Sequence, residues 1–364
     1  MNIIYIKKRR KAAAGKALYT WGLNDYGQLG LGNTTNYNTP QQVGTDTDWE
    51  SVSVGEYHMF VIKSDGSLWG CGRNNFGQLG LGNTTNYNTL QQVGSDTWSG
   101  VACGPYHTVA LKTNGTLWAW GNNSNGQLGQ GNTTNYNSPQ QIGASSNWAI
   151  LGSKCNYTVH AINSSGELYG WGRNANGSVG DSTTTQRNSP VKIGSATDWV
   201  GVDNGWSTTV VRKSNGDIYG MGYNPCFGGN ITSPYLLDSS GDWSNSNFSY
   251  YHSIGIKDGK LYVFGLALNG SGGLGSSTTF SCSITQIGSD TDWAYSNVIN
   301  SESTTGRSIG IKTDGRLYMW GENYYGTVGD GSNTERTTPT QVGSDTGWIS
   351  CMTGGYSTAA IKAV

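Results

Sequence analysis

One motif recurs seven times along the chain and leaves few folds open to it. It runs aliphatic, aromatic, any residue, bulky apolar, glycine, and it ends at Gly22, Gly72, Gly121, Gly172, Gly222, Gly265 and Gly321. Successive copies lie 50, 49, 51, 50, 43 and 56 residues apart. A period of that length belongs to solenoids, arrays and propellers, whose single unit is too small to bury its own apolar face and stacks on its neighbours instead.

Each unit reads as short strands. Trp49, Trp98, Trp148, Trp199, Trp243, Trp293 and Trp348 each precede two strand-like runs. In the first unit, Val52 and Val54 alternate with polar residues, whereas Tyr57 to Lys63 is apolar on both faces, the pattern of a strand sandwiched between sheets. Asp65-Gly66, Asn114-Gly115, Ser165-Gly166, Asn215-Gly216, Asp258-Gly259 and Asp314-Gly315 follow, and they predict two-residue hairpin turns between antiparallel strands. Six turns serve seven units. The seventh unit stops at Val364, and the strand that would complete it, Leu18-Tyr19-Thr20-Trp21, lies at the other end of the chain. The last two strands are therefore expected to pair with the first, closing a ring that leaves no face of the stack uncovered.

The glycine- and asparagine-rich stretch Asn24 to Asn33 and its copies read as a structured loop, and they lack the Lys-Ser/Thr ending of a phosphate-binding loop. The segment Asn33 to Pro40 recurs almost unchanged at Asn83 to Leu90 and Asn132 to Pro139. That identity reflects either recent duplication or a surface used several times, in which Tyr37, Tyr87 and Tyr136 would make an adaptable polar contact area. The fourth unit departs from the pattern at Asn224 to Gly228. An excess of residues around Asn300 to Thr305 predicts a protruding loop.

Residues 1–17 form an arm outside the propeller-like part, 18–364. The arm combines an apolar piece, Ile3, Ile4, Tyr5 and Ile6, with a basic run, Lys7, Lys8, Arg9, Arg10 and Lys11. A secretory signal places its charge before its apolar segment, the reverse of this order. The basic run reads as a phosphate contact or a nuclear address on one side, or as a solvated tail or an anchoring arm on the other, the apolar piece of such an anchor adding as a strand to a partner. Residues 1–16 hold six of the 22 basic residues and no acid, so the remainder has 16 against 23, a balance of -7, which argues against nucleic acid as its partner. No apolar run is long enough to insert in a membrane.

The six cysteines read as buried free thiols, since no C-x-x-C or Cys/His cluster suggests a metal. His58, His107 and His252 share one place in the repeat, occupied elsewhere by Thr208 and Ser357, which suits packing or hydrogen bonding between units better than catalysis at one asymmetric site. Asp46, Asp48, Asp290 and Asp292 read as loop residues. Neither a catalytic constellation nor a cofactor is expected.

With Trp-Gly-x-Asn-x-x-Gly-Gln-Leu-Gly-x-Gly and Gly-x-x-His in view, the chain resembles the regulator of chromosome condensation repeat family over residues 18–364. The likeness is strongest at Gly22 to Gly32, Gly72 to Gly82, Gly121 to Gly131, Gly55 to His58 and Gly104 to His107. The resemblance implies an all-β, seven-bladed propeller, in agreement with the count of units, and its flavour is that of the bacterial and bacteriophage branch. The resulting expectation is a non-enzymatic structural or binding propeller of a bacteriophage virion. Residues 1–16 would dock it on other virion proteins and its loops would meet a host surface receptor. The alternatives are a cytoplasmic regulator acting on a small GTPase or chromatin, and an inhibitor that covers an enzyme's active site.

Overall fold

The computed structural model describes residues 15–224, 229–241, 243–248, 252–300 and 306–364. They form seven four-stranded antiparallel sheets, with no helix among the described residues. Blades 1 to 6 are each continuous, spanning 49–92, 98–141, 148–192, 199–238, 243–286 and 293–341. Blade 7 is composite. Its inner strands are Trp348–Thr353 and Ser357–Ala363, and its outer strands are Lys16–Gly22 and Tyr37–Gln42. The joining ladder runs without a break from Lys16↔Ala363 to Gly22↔Ser357, which closes the ring as the missing seventh turn implied.

First strands of neighbouring blades contact one another around the axis. The second strand is buried on both faces, as in His58–Lys63, where only the last residue is partly open. The fourth is the outer edge, and its polar composition fits its exposure: Tyr87–Gln92 has no fully buried residue. The core lies between blades. Phe60, Leu68 and Leu79 of blade 1 interdigitate with Trp98, Ala110 and Trp120 of blade 2, and the other seams repeat this. Where a ring fills the space, the opposite strand has no side chain: a Cβ on Gly70 would stand 2.5 Å from the Phe60 ring.

The turns between second and third strands depart from expectation by one residue. The two-residue form occurs at Asp258-Gly259, where both residues have positive φ (51° and 71°) and Lys257 pairs with Lys260. At Ser64-Asp65-Gly66 the loop has three residues, closed by Lys63 N–H to Ser67 O (3.0 Å) and Gly66 N–H to Lys63 O (2.9 Å), so only glycine enters the left-handed region. Asp65 Oδ1 accepts the Ser67 N–H at 2.8 Å, a local bond that stabilises the longer loop.

The aspartates before Trp49 and Trp293 also have partners. Lys63 Nζ lies 4.8 Å from the centre of the Trp49 ring, 2.6 Å from Asp46 and 3.2 Å from Asp48, and Lys312 repeats the arrangement on Trp293, Asp290 and Asp292. Cys71, Cys103, Cys155 and Cys351 are buried free thiols, and burial pushes that of Cys103 up to about 12. Cys282 corrects the all-thiol reading: it is disulfide-bonded, and it stands on the exposed outer strand Thr278–Gln286, where no core shields it.

Candidate partner-binding face

The loop after each third strand is built around a buried asparagine. Asn24 Oδ1 accepts the Leu29 N–H (2.9 Å), while the Asn24 N–H is taken by Asn36 Oδ1 (2.7 Å); Asn74 and Asn123 repeat both bonds with Asn86 and Asn135. The loop so held presents one carbonyl to the next blade. Gln78 O accepts both Trp120 Nε1–H and the Thr108 hydroxyl at 2.8 Å. Ser271 O does the same for Trp320 and Ser308, and Thr327 O for Trp21 and Thr358, the last joining blade 6 to the composite blade. The glycine two residues on must have no side chain, because a Cβ on Gly80 would stand 2.8 Å from Trp120 Nε1.

Two of the histidines complete this latch. The Thr108 hydroxyl gives its proton to Gln78 O, so its oxygen accepts from Nε2–H of His58 (3.1 Å); His252, Ser308 and Ser271 O repeat the chain of bonds. Burial holds His58, His107 and His252 down at about 3, so all three are neutral at pH 7. His107 faces Val159 where a hydroxyl stands in other blades, and neither of its ring nitrogens meets a protein partner. Val159→Thr would let His107 donate to the new hydroxyl and that hydroxyl donate to Gln127 O, which now accepts Trp171 at 3.0 Å. The expected gain is about 1 kcal/mol, measured by denaturant unfolding. Arg307 takes the histidine's place in blade 6; fully buried, it pairs with Glu322 and donates to Gly354 O (2.7 Å) and Gly355 O.

The axis is bridged. Lys154, buried in blade 3, sends its amine across to Asn297 Oδ1 (2.8 Å) and Val298 O of blade 6. Desolvation lowers this amine to about 7 against the attraction of Asp203.

Around this bridged axis, the loop ends of the blades carry an arc of half-buried rings. The residue before the histidine position is Tyr57 in blade 1, Tyr106 in blade 2, Tyr157 in blade 3 and Tyr356 in blade 7. Tyr57 lies 5.2 Å from Tyr26 and 5.4 Å from Tyr356, which is 5.4 Å from Tyr325; Phe76 stands 5.5 Å from Tyr106, and Tyr157 stands 5.0 Å from Trp206. The Arg73 guanidinium sits 5.1, 5.5 and 5.4 Å from the ring centres of Tyr26, Tyr57 and Tyr106, and its buried Nε has no hydrogen-bond partner. Desolvation, then the negative charge of Glu56, raises the Tyr57 phenol, which stays protonated. The signal for Tyr57, Tyr106, Tyr157 and Tyr356 was present in the sequence as an aromatic just before the second strand, followed by histidine in the first two and by Thr158 or Ser357 in the others.

Tyr37, Tyr87 and Tyr136 begin outer strands instead. They are half-buried, and each hydroxyl accepts from an asparagine amide, Asn33, Asn83 or Asn132, at 3.3, 3.2 and 3.1 Å. The conserved wording of that segment has an internal use. The asparagine after the tyrosine clips onto the preceding loop: Gly32 N–H donates to Asn88 O and Gly82 N–H to Asn137 O, both at 2.8 Å. Ile3, Ile4, Tyr5, Ile6, Lys7, Lys8, Arg9 and Arg10 lie outside the described residues, as do 301–305 of the expected protruding loop. Among the described residues no group of His, Cys, Asp or Glu is placed to hold a metal ion.

A family model described as the regulator of chromosome condensation (RCC1) repeat matches residues 17–62, 65–111, 114–155, 165–212 and 314–361, and a second RCC1 repeat model matches 49–78 and 98–127. Among curated proteins, the ultraviolet-B receptor UVR8 of Arabidopsis thaliana is 30% identical over 196 residues, 50% of this chain and 43% of that protein; the chain thus spans less than half of that relative. Among solved structures, human WBSCR16 superposes with a TM-score of 0.83 at 18% identity, over 95% of this chain and 98% of that one. Yeast RCC1 (Prp20), solved with Kap60 bound, gives 0.84 at 16% identity over 100% and 96%.

Proposed function

We propose, on the premise that this chain belongs to the regulator of chromosome condensation (RCC1) repeat family, that it is a non-enzymatic binding propeller whose aromatic face, centred on Arg73, holds a partner protein. The observation that carries this is the Arg73 side chain. Three rings fix its plane, yet its buried Nε–H has no acceptor, and a buried donor left unpaired is costly. A carboxylate on the partner would complete it with a charge-assisted bond, while the half-buried tyrosines supply rigid apolar area at little entropic cost. His58 and His252 are absorbed in blade-to-blade latches, which supports binding over catalysis.

A regulatory partner is supported by the relatives: yeast Prp20p is described by its binding to Gsp1p and histones, and yeast RCC1 was solved with Kap60. Calorimetric titration with Gsp1p and with histones is the first test. Arg73→Ala and Tyr57→Ala are each expected to weaken binding at least about tenfold, the scale of a central anchor residue. Unchanged affinity in both variants would remove this face from the interface. The finer placement in a bacteriophage particle, docked through residues 1–16 on other virion proteins and facing a host receptor, draws on the basic arm and the low-charge composition. Its test is mass spectrometry of purified particles, and particles that lack the chain would end it.

A further inference from the structure

The seam between blades 4 and 5 is one of three that lack the tryptophan latch, the other two having Cys71 of blade 1 and Met221 of blade 4 at that position. At the position of Trp21, Trp120, Trp171 and Trp320, blade 5 carries Phe264, paired with Ser253 as Trp120 is with Thr108, and a phenyl ring has no N–H to latch onto a neighbouring carbonyl. The family models leave 213–313 unmatched, the region that contains this seam. Two consequences are visible. A cavity of about 320 Å³ opens between the blades, walled by Leu237 on one side and by Trp243, Ile254, Val263, Phe264 and Ile284 on the other. The two adjoining outer strands carry large apolar residues where other blades have Asn, Thr and Gln: Tyr235 and Leu236 are 52% and 44% exposed, Phe280 and Ile284 57% and 46%.

We infer that this cavity is a binding site for a small, uncharged, mainly aromatic molecule. Its walls are apolar, and a well-packed occupant would have on the order of ten to fifteen non-hydrogen atoms. The cavity opens to solvent beside Ile284, which gives an apolar ligand a way in, and Ser253 and Cys282 complete its lining. The carboxylate on the rim, Asp238, accepts the Trp243 indole N–H at 2.5 Å and the Ser240 hydroxyl, and its pKa is lowered by these bonds against the opposing effect of burial. It therefore repels an anionic ligand and leaves the ring system as the recognised part. The site lies on a seam away from Arg73, and its occupancy is independent of the aromatic face.

Titration of the full chain with 1-aminonaphthalene, followed by its fluorescence, is the test. Saturable binding with one site per chain and a blue-shifted emission is expected, with naphthalene competing. Ile284→Trp, at an exposed wall position, should weaken binding at least tenfold without moving the unfolding temperature. Phe280→Ser, outside the cavity wall, should leave affinity unchanged. No saturable binding, or binding that both variants leave intact, overturns the assignment; so does equal loss in both, which would mark a general apolar surface.

Discussion

Trp21→Ala is expected to lower the unfolding free energy by about 4 kcal/mol, the cost of deleting a fully buried indole together with the cavity it leaves. Trp21 has no exposed surface, packs edge-on against Trp348 at 6.2 Å, and donates to Thr327 O at 2.8 Å. It comes from the N-terminal segment, whereas Trp348 and Thr358, the second donor to that carbonyl, come from the C-terminal one. The substitution thus weakens the noncovalent join on which the ring depends, and its cost should appear mainly as faster unfolding. Truncation after Tyr356 removes the strand Ser357–Ala363 and strips both flanking strands of their ladder, so no cooperative transition is expected. Equilibrium and stopped-flow denaturant unfolding measure both. A Trp21→Ala protein within about 1 kcal/mol of the parent would mean that closure contributes little.

Mild acid should unfold the protein. The rings of His58, His107 and His252 stay neutral in the fold until about pH 3, whereas the unfolded chain takes up protons below the ordinary 6.5. Their contribution is complete above pH 6.5 and is lost progressively as pH falls toward 3, because the unfolded state binds more protons throughout that window. At pH 4.5 the difference is about 2.7 kcal/mol per ring and about 8 for the three, against typical domain stabilities of about 5–15 kcal/mol. For a parent stability of about 8 kcal/mol the unfolding midpoint is expected near pH 4.5. The carboxylates of Asp181 and Asp330, depressed by hydrogen bonds and by Arg187 and Arg336 against the opposing effect of burial, release their stabilisation only at lower pH and do not shape this transition. His107→Leu removes a ring with no partner, so it should leave stability at pH 7 nearly intact and shift the acid midpoint downward. Circular dichroism with denaturant titration across pH checks both, and a parent protein whose unfolding free energy does not fall between about pH 6.5 and 4 would contradict the assignment of buried neutral rings.

The ring, the number of blades and the shared closing sheet were legible because they rest on spacing. The latch between blades was not, although its tryptophans were plain. Its acceptor is a main-chain carbonyl, supplied equally by Gln78, Gln127, Ser271 and Thr327, so side-chain identity carries no trace of it. The turns were misread by one residue because Asp-Gly serves both loop lengths, and only the partner of Lys63 or Lys257 distinguishes them. The near-identical Asn-Thr-Thr-Asn-Tyr-Asn segments suggested an outward surface, yet much of their hydrogen bonding is spent within the ring. Lys154 had no local signal at all, since its partners lie more than 140 residues away.

The ladder from Lys16↔Ala363 onward, with Val364 N–H bonded to Gly15 O at 2.8 Å, puts Gly15 and Val364 side by side. With residues 1–14 removed, a short peptide bridging those two positions would turn the molecule into a loop without beginning or end, and a fresh opening could then be cut at a hairpin such as Asp65-Gly66 or Asp314-Gly315. Such rearranged genes would still encode the same architecture, while the burden of holding two loose ends together would pass from blade 7 to another blade of the experimenter's choosing.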